Sequence, residues 1–218
     1  MNSISKNKRL SRKDRILDAA EELFARHAFD GVSMRMVADK ASVDLALASY
    51  HFGSKRGLFD AVLLRRAEVL NEKRLEALEK CQKDAGENGP EIEAIIDAFL
   101  FPLLGRGLQD DSGWLHYFEL VAQVNNSPEW GGQLMTKYFD PLVRRFIDAL
   151  KKALPDAEPA DIYWSYHFLS GALTLTFADT GRIDKLSGGA AKSHDMKAAY
   201  ERMVPFVAAG IKQVCQKK

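Results

Sequence analysis

The chain has 218 residues, 28% charged and 46% hydrophobic, enough for one or two small domains with a packed core and too apolar for wholesale disorder. No run approaches the roughly 18 consecutive apolar residues of a membrane span; the most apolar, 94–104 and 168–177, are short, and Asp97 interrupts the first. The net charge of +1 conceals an asymmetry: residues 1–56 hold eleven Lys/Arg against seven Asp/Glu, and 57–218 hold twenty against twenty-three. Two cysteines, Cys81 and Cys215, supply neither a disulfide framework nor a four-ligand zinc site. The N-terminus is polar and basic without the apolar stretch of a secretory signal, so a reduced, cytoplasmic setting is expected.

Lys6, Lys8, Arg9, Arg12 and Lys13 open the chain with no acid among the first thirteen residues. Such an arm meets a polyanion, nucleic acid before membrane, or is simply a solvated tail. From there the hydrophobic period is helical throughout. Ser11 with Asp14 resembles a capping box, and Ile16, Ala19, Ala20, Leu23 and Phe24 form one apolar face behind it. After Gly31, Ser33 is placed to cap a two-turn helix carrying Met34, Val37, Ala38 and Ala41. Residues 41–43 then lead to Asp44, an expected N-cap for a third helix ending near Tyr50. Gly53 breaks it and Ser54 caps a long fourth helix, whose buried stripe is Phe59, Val62, Leu63, Leu70 and Leu78.

Residues 84–90 (DAGENGP) are the clearest linker. Further helices are expected at 90–105, 113–126, 132–153, 159–179 and 195–215, about nine in all. Polar separators lie between them, among them 105–113, with Asp110 and Asp111 as solvated charge, and 181–193. Pro141 and Pro205 should kink their helices or delay their start. The fold class is therefore all-α: a three-helix head in 1–56, a connecting helix over about 54–82, and a helical body in 57–218.

Two short helices joined by three residues have the size of a helix-turn-helix, in which the first helix crosses the phosphate backbone and sets the second into the major groove. An ordinary helical corner has the same spacing. Val43 would plug the crossing, with Val37, Ala38 and Ala48 small enough for close approach.

The run SMRMVADKASVDLALASYHFGSK over 33–55, with ILDAAEELFARHAFDGVS before it, resembles the DNA-binding head of the TetR family of bacterial repressors over about residues 11–70. The family's slots hold Ser33, Arg35, Val37 and Ala38, then Ala41 and Val43, then Tyr50, His51 and Phe52, then Ser54 and Lys55. The ending YHFGSK looks most like a subgroup responding to acyl or other lipid-derived metabolites. Ser42 stands where the family has Gly, so a left-handed turn there would cost about 1 kcal/mol. Chemistry and the resemblance together nominate Lys55, Tyr50, His51, Arg35 and Ser33 as phosphate contacts. Leu45, Ala46 and Ser49 would read bases through methyl contacts and shape, because this helix carries no arginine. Ser33 and Asp44 have capping as their plainer role.

One head buries little surface, so specific binding calls for two heads on a near-palindromic duplex operator and a homodimer to carry them. The segment 162–177 is apolar on nearly every face, and the last helix repeats apolar residues at helical spacing. Trp164, Phe168, Ala172, Leu175, Val207 and Ile211 are the expected interface, unless this is the central helix of a monomeric bundle. The resemblance also implies a cavity for a small hydrophobic effector, for which Phe99, Trp114, His116, Tyr117, Phe118 and Gln123 are the candidates. No metal-ligand spacing, phosphate loop or nucleophile elbow marks an enzyme, and no cofactor is expected. A helical protein-interaction adaptor without DNA binding is the rival reading.

Overall fold

The computed structural model describes residues 10–105, 112–128 and 130–216. The arm residues Lys6, Lys8 and Arg9 and the pair Asp110 and Asp111 lie outside them. The described residues form eleven α-helices: α1 (Arg12–His27), α2 (Met34–Ala41), α3 (Leu45–Phe52), α4 (Lys55–Ala85), α5 (Ile92–Leu104), α6 (Ser112–Asn125), α7 (Gly131–Tyr138), α8 (Asp140–Ala153), α9 (Pro159–Phe177), α10 (Arg182–Leu186) and α11 (Met196–Val214). A 3-10 turn, Gly86–Asn88, follows α4. No described helix is long and apolar enough to cross a membrane. The chain divides into two compact units between Arg65 and Arg66.

In the first unit, Ser11 caps α1 by accepting from the Asp14 amide at 3.1 Å and donating to the Asp14 carboxylate at 2.6 Å. Ile16, Ala20 and Phe24 of α1 are buried together with Val37, Ala38 and Ala48 and with Leu58, Phe59 and Val62 of α4. Phe24 and Phe29 meet the Phe59 ring edge-on, with centroids 5.0 and 5.1 Å away. The unit extends past residue 56 because Arg65 of α4 donates to Asp18 at 2.7 Å and to the buried Glu21 at 3.1 Å. On α1, Glu22 pairs with Arg26 and with Lys40 of α2, each at 2.9 Å.

The turn between α2 and α3 is left-handed at Ser42, with φ 53° and ψ 53°. The Val43 amide donates to the Ala38 carbonyl at 3.0 Å and that of Ser42 to Asp39 at 3.1 Å, the paired bonds of a Schellman ending. Asp44 occupies the N-cap position of α3 but accepts no capping hydrogen bond through its side chain. It contributes only its charge at the positive end of the helix. Gly53 ends α3 with φ +70°, and Ser54 caps α4 by accepting from the Gly57 amide at 3.0 Å.

The second unit packs α5 against α8 and α11, α6 against α7 and α9, and α9 against α8 and α11. The expected helix over 132–153 is two helices, α7 and α8, parted at Phe139 (φ −121°, ψ −30°). Pro141 is the reason: it has no amide hydrogen for a bond to the preceding turn, and it fits only within the first turn of a new helix. The polar stretch 181–193 contains a short helix, α10, where only a separator was expected. Pro102 and Pro205 lie inside α5 and α11.

Ser42 holds a conformation that glycine adopts without a Cβ penalty. Ser42→Gly should therefore raise the stability of the first unit by about 0.5–1 kcal/mol, read as a higher denaturant midpoint with an unchanged slope.

Candidate functional site

On the first unit, Ala48 is fully buried and orients α3, so that Leu45, Ala46, Ser49 and Tyr50 point to water on the opposite side. Tyr50 is 82% exposed, uncommon for a tyrosine with no packing duty. His51 is also exposed, its ring 5.4 Å from that of Tyr50. Ser33 accepts from the Met36 amide at 3.2 Å, so it caps α2. The bond uses a lone pair and leaves the hydroxyl proton for an outside acceptor. Arg35 is exposed one residue inside α2. Val43 is half-buried, and the cleft beside it is lined by Arg12, Arg15, Asp39 and Asp44. Lys55 is anchored: its ammonium donates to the Phe29 carbonyl at 3.0 Å and stands 4.3 Å from that ring's centroid.

Three concavities among the described residues of the second unit bear on the expected sites. One is a small cavity of about 40 Å³ between α4, α5, α6, α7, α8 and α9. Of the candidates, Phe99, Tyr117 and Phe118 line it; Trp114, His116 and Gln123 do not. On α6, His116 and Gln123 are seven residues apart and share a face turned away from Tyr117, Phe118 and Val121. Gln123 is exposed and His116 half-buried. Trp114 is buried under Arg66, whose guanidinium carbon lies 4.7 Å from the ring centroid.

The cavity's polar groups are Arg74, Asn125, Tyr166, Ser170 and Thr174, none of them anticipated. Asn125 donates to the Thr174 hydroxyl at 2.7 Å. Burial pushes the Tyr166 phenol above its ordinary pKa, against the pull of Arg74 and a hydrogen bond with Ser170. Burial likewise draws Arg74 down to about 10, leaving it a cation at neutral pH. One sequence signal for it existed: Arg74 stands four residues after Leu70 and four before Leu78, inside the buried stripe of α4.

The second concavity, about 950 Å³, is an open groove along α4, α5 and α11, lined by residues such as Lys73, Lys80, Cys81, Asp97, Phe101 and Tyr200. Tyr200 donates to the Asp97 carboxylate. Burial, then Asp97 and Asp84, push the Cys81 thiol above its ordinary pKa. The groove is larger and lined by lysines and carboxylates together, whereas the cavity is small and mainly apolar around one cation.

Along α9, Trp164, Phe168 and Leu175 stand exposed at spacings of four and seven, Leu175 at 67%, with the half-buried Ala172 between them. Phe206 of α11 is 75% exposed beside them, a residue the sequence reading omitted. Val207 and Ile211 are buried within their own unit and form the floor of a 450 Å³ apolar cleft edged by Phe168, Phe206 and Val214.

Residues 16–62 match the family described as bacterial regulatory proteins, tetR family, and residues 97–210 match the tetracyclin repressor-like C-terminal domain. The chain belongs to the TetR family of transcription regulators, which are not enzymes. It is 54% identical over 44 residues to the HTH-type transcriptional regulatory protein RaaS of Mycobacterium tuberculosis. It is 40% identical over 52 residues to YttP of Bacillus subtilis, named as an HTH-type transcriptional regulator. These stretches span 20% and 24% of this chain and only 20% and 25% of the two relatives. Its fold is shared with a transcriptional regulator structure from Pseudomonas aeruginosa PAO1 (TM-score 0.63, 18% identity, 99% of this chain and 100% of that one). A tetR family structure from Shewanella sp. PV-4 is also similar (TM-score 0.60, 16% identity, 90% and 98%).

The ties of Lys55 to Phe29 join α4 to the end of α1. Lys55→Ala should lower the stability of the first unit by about 1 kcal/mol, since it removes one charge-assisted hydrogen bond and one partly exposed cation–π contact. Chemical denaturation of the full chain measures this.

Proposed function

We propose that the protein is a homodimeric repressor that binds a near-palindromic duplex operator and leaves it when a small hydrophobic effector enters the second unit. The observation that carries the reading is the outward face of α3: Leu45, Ala46, Ser49 and Tyr50 are exposed while Ala48 is buried. In a helix-turn-helix that face meets the major groove. Leu45 and Ala46 offer methyl contact to thymine and Ser49 a hydrogen bond, while Tyr50, His51, Arg35 and Ser33 surround them as phosphate contacts. Lys55 commits one ammonium hydrogen to Phe29 and keeps two for a phosphate. The described part of the basic arm, Arg12 and Lys13, is exposed at the start of α1.

Pairing supplies the second head. The exposed stripe of α9 with Phe206 is the kind of contiguous apolar surface that marks an interaction site, and Trp164, Phe168, Ala172 and Leu175 would bury it against a second copy over the cleft floored by Val207 and Ile211. An effector releases DNA only if it prefers the released state, because equal affinity for both states shifts nothing. Phe99, Tyr117 and Phe118 line the small cavity that a hydrophobic effector would enter and widen, and Leu70 and Arg74 of α4 border the same space.

Operator fragments selected from random duplexes test the reading. If a dimer neutralises about eight phosphates, log K should fall against log salt with a slope near −7; salt-insensitive or undetectable duplex binding would leave the adaptor reading in its place. Arg35→Ala should weaken all operator variants alike, whereas Ser49→Ala should alter the preference among them. The double variant Leu175→Asp, Phe206→Asp should sediment as a monomer and lose operator affinity by about a hundredfold or more.

A further inference from the structure

We propose that Arg74 anchors the carboxylate of an amphipathic anionic effector inside the cavity of the second unit. Arg74 is 4% exposed. Its Nε donates to the Phe99 carbonyl at 3.1 Å, and its guanidinium carbon lies 4.0 Å from the Phe99 ring centroid. Among the described residues no carboxylate pairs with it, and the titratable groups that bear on it are the phenols of Tyr166 and Tyr117, uncharged at neutral pH. A cation this deeply buried normally has a counter-ion, because removing a charge from water costs several kcal/mol, an amount that a ring face and one carbonyl only partly offset.

The remaining edge of the guanidinium faces a space lined otherwise by apolar side chains such as Leu70, Leu103 and Phe177 and by the Tyr166 and Ser170 hydroxyls. A planar fork of donors beside two hydroxyls matches a single carboxylate, which it can hold through two parallel bonds. A phosphate dianion would need more positive charge than the one cation lining this space. The apolar walls require that the rest of the molecule be hydrocarbon. The cavity of about 40 Å³ has room for the headgroup and not for a tail. Binding of the tail must therefore widen the space between the helices that line the cavity, and the work of widening gives the ligand different affinities for the closed and opened states.

The inference rests on the effector reading above, yet its test needs no DNA. Dodecanoate, dodecanol and dodecyltrimethylammonium are titrated calorimetrically into the full-length chain and its R74M and R74K variants. Dodecanoate should bind the native chain at least about tenfold more tightly than either tail-matched control. R74M should lose that preference while keeping its affinity for dodecanol and a melting temperature no lower than the native one, since a buried charge without a counter-ion is replaced by an apolar side chain of similar length. R74K should retain part of the preference, having the charge without the fork. Equal binding of dodecanoate and dodecanol by the native chain, an unchanged dodecanoate affinity in R74M, or no saturable binding of hexanoate, dodecanoate or hexadecanoate each overturns the proposal. The native comparison decides it even if both variants fail to fold. Dodecanoate that binds through Arg74 but leaves operator affinity unchanged would sink the release reading and spare the anchor.

Discussion

One helix is asked to satisfy two hydrophobic cores. α4 runs without a break for 31 residues, and its buried side chains Leu63, Ala67, Leu70, Arg74 and Leu78 follow one another at intervals of four, three, four and four. That spacing keeps a single stripe inward. Upstream, Leu58, Phe59 and Val62 are buried in the core of the first unit. The constraint is severe because a helix has one rotation about its axis, so every residue on this line is inward whatever its chemistry. Arg74 is the one basic residue on the line. Its cost is borne by the packing of the second unit and partly returned by Phe99.

The sequence made most of this architecture readable. The start of α1, the two-turn α2 and the end of α3 were legible because Ser11, Ser33 and Gly53 act locally, through bonds within one turn or a backbone angle only glycine adopts freely. The left-handed turn was legible only through the family resemblance, in which glycine holds this slot; Ser42 by itself disfavours the conformation, and two backbone hydrogen bonds override that preference. Asp44 shows the limit of such reasoning, since a residue type suited to capping holds the position without making the bond. The break at Phe139 required choosing between two consequences of Pro141, a kink or a new start, and packing makes that choice.

The candidate sites were legible unevenly. The outward face of α3 could be inferred because a two-turn helix with one fully buried alanine has little freedom in what it exposes. Aromatic content pointed to the middle helices but not to a face, so His116 and Gln123 were grouped with Tyr117 although they lie on the opposite side of α6. Arg74 went unread because charge on a long helix is ordinarily taken as solvent-facing, and only its register between Leu70 and Leu78 says otherwise. Phe206 follows Pro205, and its exposure is set by the roll of α11, which no local pattern reveals.

The bared rings of α9 and α11 also bear on how the chain fares during synthesis. A subunit newly off the ribosome carries Trp164, Phe168, Leu175 and Phe206 in water, and such a surface is a hazard for clumping as well as a handle for chaperones. If a second copy covers those rings, as proposed above, the time each molecule spends in that condition would fall as its own abundance rises. Sparse expression would then carry a penalty in lost material.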